Sequence, residues 1–222
     1  MKIIVLERGN EFVYQLHNIS NYSDDELNQM FYSKNEEGIF ERIYPSAIMF
    51  NHDKNILENN YNLYLRNINT DRNIKNTLEW ICTIHKENDI NWWLVGSAAL
   101  YVRGLDIKPR DIDVMTYKTE IHKIEKCIYQ YISEPFHHVE KWVVKGFGVI
   151  YKDVKIDYAF EPEEWVDNDG YVDFGVFAEN HLEKIIWNGH EIMVPPIELH
   201  IKSNERRERF EIVKKIKEAY NI

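Results

Sequence analysis

A short segment in the middle of the chain restricts the fold more than any other part. Trp92 to Val95 has the pattern of a buried strand and stops at Gly96-Ser97. Ala98 to Arg103 then has the pattern of a short helix, ended by Gly104. Thirteen residues separate Ser97 from Asp111-Ile112-Asp113, where a second apolar strand begins and runs to Thr116. This order of strand, turn, helix and strand requires a sheet with a helix packed on it.

The remaining pattern of the C-terminal part predicts an α/β (α+β) fold, in which helices flank a mixed, twisted β-sheet. The dipeptide Asn188-Gly189 between two apolar runs is typical of a hairpin with a type I′ turn. The further predicted helices are one after an Asp71 N-cap that carries Ile74, Leu78, Ile81 and His85, one after a Thr119 cap that carries Ile121, Ile124, Ile128 and Ile132, and a charged one from Glu198 to Tyr220. The further predicted strands are Lys141 to Val144, Gly148 to Tyr151 and Val154 to Phe160.

The N-terminal part is harder to interpret. Ile3 to Leu6 is a short strand pattern, and Ser23 with Glu26 forms a capping-box pattern that opens a helix through about Tyr32. The stretch from Asn51 to Asn73 is rich in asparagine, which favours loops. We therefore expect residues 1–70 to form a module or decoration of unclear role, and residues 71–222 to form the main domain.

Composition excludes several classes of protein. The formal net charge of −10 and the pI near 5.4 argue against general coating of nucleic acid and against binding to an anionic membrane surface. No apolar run approaches the ~18 residues that a membrane span needs, so the expected location is the cytoplasm. The two cysteines, Cys82 and Cys127, fit no metal-binding pattern.

Asp111 and Asp113 are two residues apart on the predicted strand, so their side chains point to the same face. Two ionised carboxylates on one face repel each other, and a divalent cation relieves that repulsion. Oxygen ligands of this kind suit Mg²⁺ or Mn²⁺, which also bind substrate phosphates. The alternative is that both aspartates are ordinary solvent-facing residues of a half-buried strand.

Asp157 is the best candidate for a third carboxylate. Ile156, Tyr158 and Phe160 alternate toward the core, so Asp157 faces the opposite side together with Lys155. Asp153 is a weaker candidate, because it lies in a predicted turn.

Gly96-Ser97 is a candidate phosphate-binding turn. Glycine lets backbone N–H groups approach a phosphate closely, and the helix that follows adds partial positive charge. The Ser97 hydroxyl is expected either to donate to a phosphate oxygen or to cap that helix.

Together these residues resemble the DNA polymerase β-like nucleotidyltransferase superfamily, which includes antibiotic adenylyltransferases and AbiEii-type proteins. That family has a Gly-Ser turn, an Asp-x-Asp pair on the next strand and a third carboxylate on a later strand. The resemblance implies that Asp111, Asp113 and Asp157 are catalytic and bind the metal. It also implies that Asp157 can act as the base toward an acceptor hydroxyl.

The resemblance also implies that basic side chains near these residues bind the nucleotide. Many relatives carry Arg and then Thr or Ser where this chain has Ile107 and Pro109, so Lys108 and Arg110 are the nearby candidates for binding the nucleotide. Small relatives often use a Lys and an Arg of the last helix, which here are Lys202 and Arg206. The alternative for these four side chains is a solvated charged surface.

Three hypotheses follow. The first is a metal-dependent nucleotidyltransferase (EC 2.7.7-type) that moves a nucleoside monophosphate, expected to be AMP, from an NTP to a hydroxyl of an unidentified small acceptor. The second is a toxin-like nucleotidyltransferase that modifies protein or tRNA. The third is a non-catalytic nucleotide-binding module. The sequence leaves the oligomeric state open.

Overall fold

Three β-sheets and eight α-helices make up the described part of the computed structural model, which covers residues 1–20, 22–45, 52–67 and 73–222. The strands are β1 (Lys2–Arg8), β2 (Glu11–His17), β3 (Ser33–Lys34), β4 (Phe40–Pro45), β5 (Trp92–Val95), β6 (Ile112–Thr116), β7 (Ile132–His138), β8 (Val144–Tyr151), β9 (Lys155–Pro162), β10 (Glu183–Trp187) and β11 (His190–Val194). The helices are α1 (Asp24–Gln29), α2 (Lys54–Asn67), α3 (Ile74–Glu87), α4 (Gly96–Val102), α5 (Ile121–Ile128), α6 (Val176–Glu179), α7 (Ile197–Arg206) and α8 (Phe210–Tyr220).

The central sheet has the strand order β5-β6-β9-β8-β7. Strands β6 and β9 pair in parallel, whereas the other neighbours pair antiparallel. The sheet is therefore mixed and carries helices, which confirms the predicted fold class. In the parallel pair, Asp113 lies opposite Asp157, so the register places the two candidate carboxylates side by side.

The N-terminal residues form a second, antiparallel sheet in the order β1-β2-β4-β3. Of these strands, the sequence predicted only the one that includes Ile3 to Leu6. The capping box is present, because the Ser23 and Glu26 side chains each bond the other residue's backbone N–H. Helix α1 ends at Gln29, earlier than predicted.

The prediction of loops between Asn51 and Asn73 was wrong for the residues of α2. Leu57 and Tyr61 are four residues apart and buried on one face of this helix. The Asn62 side chain accepts a hydrogen bond from the Ile3 N–H and donates one to the Ile3 carbonyl. Core packing and the hydrogen bonds of Asn62 to the Ile3 backbone thus outweigh the weak helix propensity of the asparagine-rich segment. Asp71, the predicted N-cap of α3, lies outside the described residues, and the Asn73 side chain caps α3.

Two further predictions in the C-terminal part were wrong. Helix α5 ends at Ile128, and Ile132 begins strand β7 rather than closing the helix. The single helix predicted from Glu198 to Tyr220 is two helices, α7 and α8, with Glu208 in the left-handed region at φ 56° between them. The predicted hairpin is confirmed by β10 and β11, with Asn188 and Gly189 both at positive φ.

Strands β7 and β8 form a long antiparallel pair beside β9. The strand predicted from Lys141 to Val144 was wrong except for Val144, and β8 runs from Val144 through the predicted strand Gly148 to Tyr151. Its glycines make room for rings: a Cβ on Gly146 would lie 1.9 Å from Phe160, and one on Gly148 would lie 2.6 Å from Phe136. Gly146 and Gly148 are therefore strand residues whose missing side chains leave space for these rings.

One hydrophobic cluster joins the two sheets. It contains Tyr14 and Tyr44 of the N-terminal sheet, Tyr61 of α2, and Phe136 and Tyr158 of the central sheet. Within the described ranges, every helix is too short or too polar to span a lipid bilayer.

Candidate functional site

The candidate site lies where β6 and β9 run side by side. Ile156, Tyr158 and Phe160 are buried on one face of β9, so Asp157 and Lys155 point to the other face, as the alternation predicts. Neighbouring strands are about 4.8 Å apart, which places the Asp157 backbone directly beside that of Asp113. Asp111 immediately precedes β6.

The Gly96 turn lies directly against Asp113. Gly96 has φ +62°, a conformation that side chains rarely adopt. A Cβ at this position would lie 2.6 Å from Asp113 Oδ2. Helix α4 begins at Gly96, with Val95 as its N-cap and no side-chain cap. Ser97 is therefore inside the first turn and does not cap the helix.

Asp173 is a part of the site that the sequence did not reveal. This buried carboxylate accepts a hydrogen bond from the Gly96 N–H at 2.8 Å. Its Oδ2 lies 3.0 Å from His200 Nδ1, and its Oδ1 accepts a hydrogen bond from the Ser203 hydroxyl. The Ser203 oxygen in turn accepts from the Asp173 N–H at 2.9 Å. The Gly96 turn is thus tied to helix α7 through one aspartate.

Burial alone would raise the pKa of Asp173. The charge of His200 and the hydrogen bonds from His200, Ser203 and the Gly96 N–H outweigh that effect and hold its pKa below the usual range. Asp173 therefore remains ionised at the turn.

Asp113 and Asp157 have the opposite shift. Burial, followed by the nearby charges of Asp111 and Asp157, raises the pKa of Asp113 to about 7. Burial also raises the pKa of Asp157, against the lowering effect of Lys155, to about 6. Carboxylates that repel one another in a desolvated setting indicate a place where a cation would be stabilised.

Lys155 is the cation already present. Its Nζ donates a hydrogen bond to Asp157 Oδ2 at 2.7 Å. The other oxygen of that carboxylate, Oδ1, is buried and has no hydrogen-bond partner within the described ranges.

A cleft of about 170 Å³ opens at these carboxylates. Its lining includes Gly96, Asp113, Asp157 and Asp173, but not Asp111 or Ser97. The walls are largely apolar and aromatic and consist of Val95, Val114, Met115, Trp142, Val143, Val144, Phe147, Ala159 and Phe174, with the cation Arg207. The Trp142 and Phe147 rings meet edge to face, and the Arg207 guanidinium lies 5.4 Å from the centre of the Phe174 ring.

The other predicted cations lie away from the lining of this cleft. Lys108 and Arg110 are exposed just before Asp111. Lys202 is exposed and lies 3.7 Å from Glu205. Arg206 donates to the carbonyls of Val166 at 2.7 Å and Gly170 at 2.6 Å. Arg207, one residue later, lines the cleft in its place.

The donor atoms fit a hard divalent cation in kind, because all of them are carboxylate oxygens. The unpartnered Asp157 Oδ1 and the mutual repulsion of the aspartates are further features that a cation would relieve. Among the residues that the structure describes, however, no three side chains of His, Cys, Asp or Glu are grouped closely enough to hold a metal ion. Any cation would therefore complete its coordination with substrate oxygens or water.

Comparison with solved structures finds similar folds among nucleotidyltransferases. A protein from Thermotoga maritima assigned as a nucleotidyltransferase matches at a TM-score of 0.49 and 20% identity, over 66% of this chain and 91% of its own. The enzyme ANT(2″)-Ia in complex with adenylyl-2″-tobramycin matches at a TM-score of 0.44 and 12% identity, over 65% of this chain and 88% of its own. An antigenic nucleotidyltransferase-like protein from Paracoccidioides brasiliensis matches at a TM-score of 0.42 and 9% identity, over 64% of this chain and 74% of its own.

No protein-family model and no curated protein matches the chain significantly. The three solved structures named above are each less than 25% identical to this chain and match it at TM-scores below 0.5. At these identities and TM-scores, the similarity concerns the fold, and the case for a function rests on the residues of the cleft.

Proposed function

We propose that this chain is a metal-dependent nucleotidyltransferase that transfers a nucleoside monophosphate from an NTP to a hydroxyl group of an acceptor. The observation that carries the proposal is the parallel register of Asp113 and Asp157, with the Gly96 turn pressed against Asp113. Asp111, Asp113 and Asp157 are proposed to contact Mg²⁺ or Mn²⁺. Because the three do not form a closed group of ligands in the described residues, substrate oxygens or water would complete the coordination. When bound, the metal would neutralise charge on the phosphates and on the departing pyrophosphate.

The chain's own residues have separable roles in this proposal. The acceptor oxygen forms a bond to the α-phosphorus while the bond from that phosphorus to the β-phosphate oxygen breaks. Pyrophosphate leaves with that electron pair, and the acceptor proton passes to Asp157. Gly96 and Ser97 orient the triphosphate, and Asp173 holds the turn through its hydrogen bond from the Gly96 N–H.

The aromatic wall supports a nucleotide as the occupant of the cleft. Trp142 and Phe147 provide aromatic surface in the same cleft as the carboxylates, and bases stack favourably on such rings. Arg207 supplies a positive charge in the same cleft. We therefore add Arg207 to Lys108, Arg110, Lys202 and Arg206 as a candidate for binding the triphosphate. Arg206 would first have to release two loop carbonyls.

The acceptor is proposed to be a small molecule, and the preferred donor is ATP. A net charge of −10 favours a neutral or cationic acceptor over a polyanion such as tRNA. The alternatives are a macromolecular acceptor and a nucleotide-binding module without turnover.

The test compares Asp113→Ala with Asp153→Ala. Asp153 is an exposed aspartate just before β9 and outside the cleft, so it controls for loss of one negative charge. We expect the wild type and Asp153→Ala to bind NTP in the presence of Mn²⁺ and to release pyrophosphate with one member of an acceptor panel. Asp113→Ala should lose both properties. Unchanged metal-dependent binding in Asp113→Ala, with no turnover by any variant, would favour the non-catalytic module.

A further inference from the structure

We propose that Ser203 of helix α7 is a positioning residue, which sets the Gly96 turn for the nucleotide by holding Asp173 in one orientation. The inference rests on the proposed function, because it gives a residue of α7 a part in nucleotide binding. Of Ser203 and Asp173, only Asp173 is among the described residues that line the cleft. Any effect of Ser203 on a bound nucleotide would therefore pass through that carboxylate.

The Gly96 N–H needs an acceptor from outside its own helix. Helix α4 begins at Gly96, and the N–H groups of the first turn of a helix have no acceptor within that helix. The N-cap residue, Val95, has no side-chain oxygen to supply one. Asp173 Oδ2 accepts from the Gly96 N–H at 2.8 Å. The position of the turn therefore depends on how Asp173 is held.

Helix α7 holds Asp173 at three atoms. Oδ1 accepts a hydrogen bond from the Ser203 hydroxyl, and the Asp173 N–H donates to the Ser203 oxygen at 2.9 Å. Oδ2 lies 3.0 Å from His200 Nδ1. All three residues are buried, so water competes little for these contacts. The backbone and the side chain of Asp173 are both tied to Ser203, which favours a single orientation of the carboxylate.

The residue types are those of a Ser-His-Asp triad, but the geometry differs. In a triad, the histidine lies between the serine and the aspartate and takes the proton of the serine. Here the Ser203 hydroxyl donates directly to Asp173, and Ser203 is only 3% exposed. This contact suits a fixed support for the aspartate and not an activated nucleophile.

Helix α7 also carries a cation of the same cleft. Arg207 is the C-cap residue of α7, one turn after Ser203, and lines the cleft. Its guanidinium lies 5.4 Å from the centre of the Phe174 ring, next in the chain to Asp173. Tying Asp173 to Ser203 thus links the Gly96 turn to the helix that carries Arg207. A triphosphate bound by the turn and by Arg207 would require the distance between them to be fixed.

The test compares two buried serines in the full chain. Ser203→Ala removes the hydroxyl without changing any charge. Ser133→Ala is the matched control, because Ser133 on β7 is equally buried and its hydroxyl donates to the Val149 carbonyl at 3.2 Å. Calorimetry measures the affinity for ATP in the presence of Mn²⁺. Nuclear magnetic resonance of ¹⁵N-glycine-labelled chain, which has nine glycines, measures exchange of the Gly96 amide hydrogen with solvent.

We expect Ser203→Ala to weaken ATP binding by about tenfold, the size of one lost hydrogen bond to a charged group. The same variant should speed exchange of the Gly96 amide hydrogen, because Asp173 then holds the turn less firmly. Ser133→Ala should leave both properties unchanged.

Wild-type ATP affinity in a folded Ser203→Ala, or equal weakening by the two variants, would overturn the inference and leave the proposed function intact. A wild type that does not bind ATP would remove the proposed function itself. If Ser203→Ala does not fold, the wild-type Gly96 amide decides. Slow exchange would support the inference, and exchange as fast as that of the exposed Gly9 would overturn it.

Discussion

At the scale of single residues, Gly96 is the position where backbone conformation and site chemistry coincide. Gly96→Ala would place a left-handed alanine, which costs roughly 1–2 kcal/mol, and would push its Cβ into Asp113 Oδ2, 2.6 Å away. Gly104 follows the C-terminal end of helix α4 at φ +86° and has open space around it, so Gly104→Ala has the backbone cost alone.

Denaturant unfolding in EDTA should show both alanine variants losing roughly 1–2 kcal/mol or more of unfolding free energy. Titration with Mn²⁺ and a nucleotide should show that only Gly96→Ala loses binding. Equal binding by the two variants would mean that Gly96 serves only the backbone turn.

The residues of the site differ in how far the sequence could reveal them. That Asp157 faces away from the core was predictable because a strand repeats every two residues, whereas its register opposite Asp113 was not, and Asp111 lies just before β6. Asp173 could not be predicted as a site residue, because it follows a turn that contains Asn and Gly. Its hydrogen bond to Gly96 joins residues 77 apart in the sequence. Lys155 was placed on the correct face, but its pairing with Asp157 depends on a local geometry that alternation does not specify.

At the scale of elements, helix α3 packs on the central sheet through a buried histidine. His85 Nε2 is 2.9 Å from the Tyr158 hydroxyl of β9, and burial lowers the His85 pKa to about 3. The unfolded chain binds a proton near pH 6.5, whereas the folded chain does not until about pH 3. This contribution to stability is complete above pH 6.5 and is lost as the pH falls toward 3.

His85→Gln keeps a polar group next to Tyr158 and removes the titration. We expect the unfolding free energy of the wild type to fall between pH 6.5 and 4 more steeply than that of His85→Gln, by up to about 1.4 kcal/mol per pH unit. Urea unfolding at a series of pH values measures this. Parallel pH profiles for the two proteins would show that His85 is not the group responsible.

Helices and strands with a clear spacing of apolar residues or a clear turn motif were predictable. Those that depend on contacts with residues distant in the sequence were not. The strands β5 and β6 and the hairpin of β10 and β11 follow from apolar runs and turn residues. Helix α2 depends on the fit of Asn62 to the backbone of β1, and β7 depends on pairing with β8. A single chain contains no local signal for such contacts, so propensity gave the wrong answer there.

At the scale of the whole molecule, the two sheets share one core through a band of buried polar contacts. The Tyr14 hydroxyl donates to the Ser133 carbonyl at 2.6 Å, and the Tyr44 hydroxyl donates to Glu134 at 2.7 Å. Arg42 lies 3.5 Å from Glu134, which is buried. The expected boundary near residue 70 stays a prediction, but these contacts favour a chain that folds as one unit.

All six tryptophans lie between Trp80 and Trp187, so tryptophan fluorescence reports on the C-terminal part, whereas far-UV circular dichroism reports on the whole chain. We expect the two unfolding transitions to coincide, as one cooperative unit requires. A shortened chain that begins at residue 73 would lose Arg42 and Tyr44, the partners of Glu134, and would uncover apolar surface of β7 that the N-terminal sheet and α2 cover. It should bind a hydrophobic dye and unfold without a sharp transition. Separate transitions in the full chain, or a cooperative shortened chain, would mean that the N-terminal sheet is an independent domain.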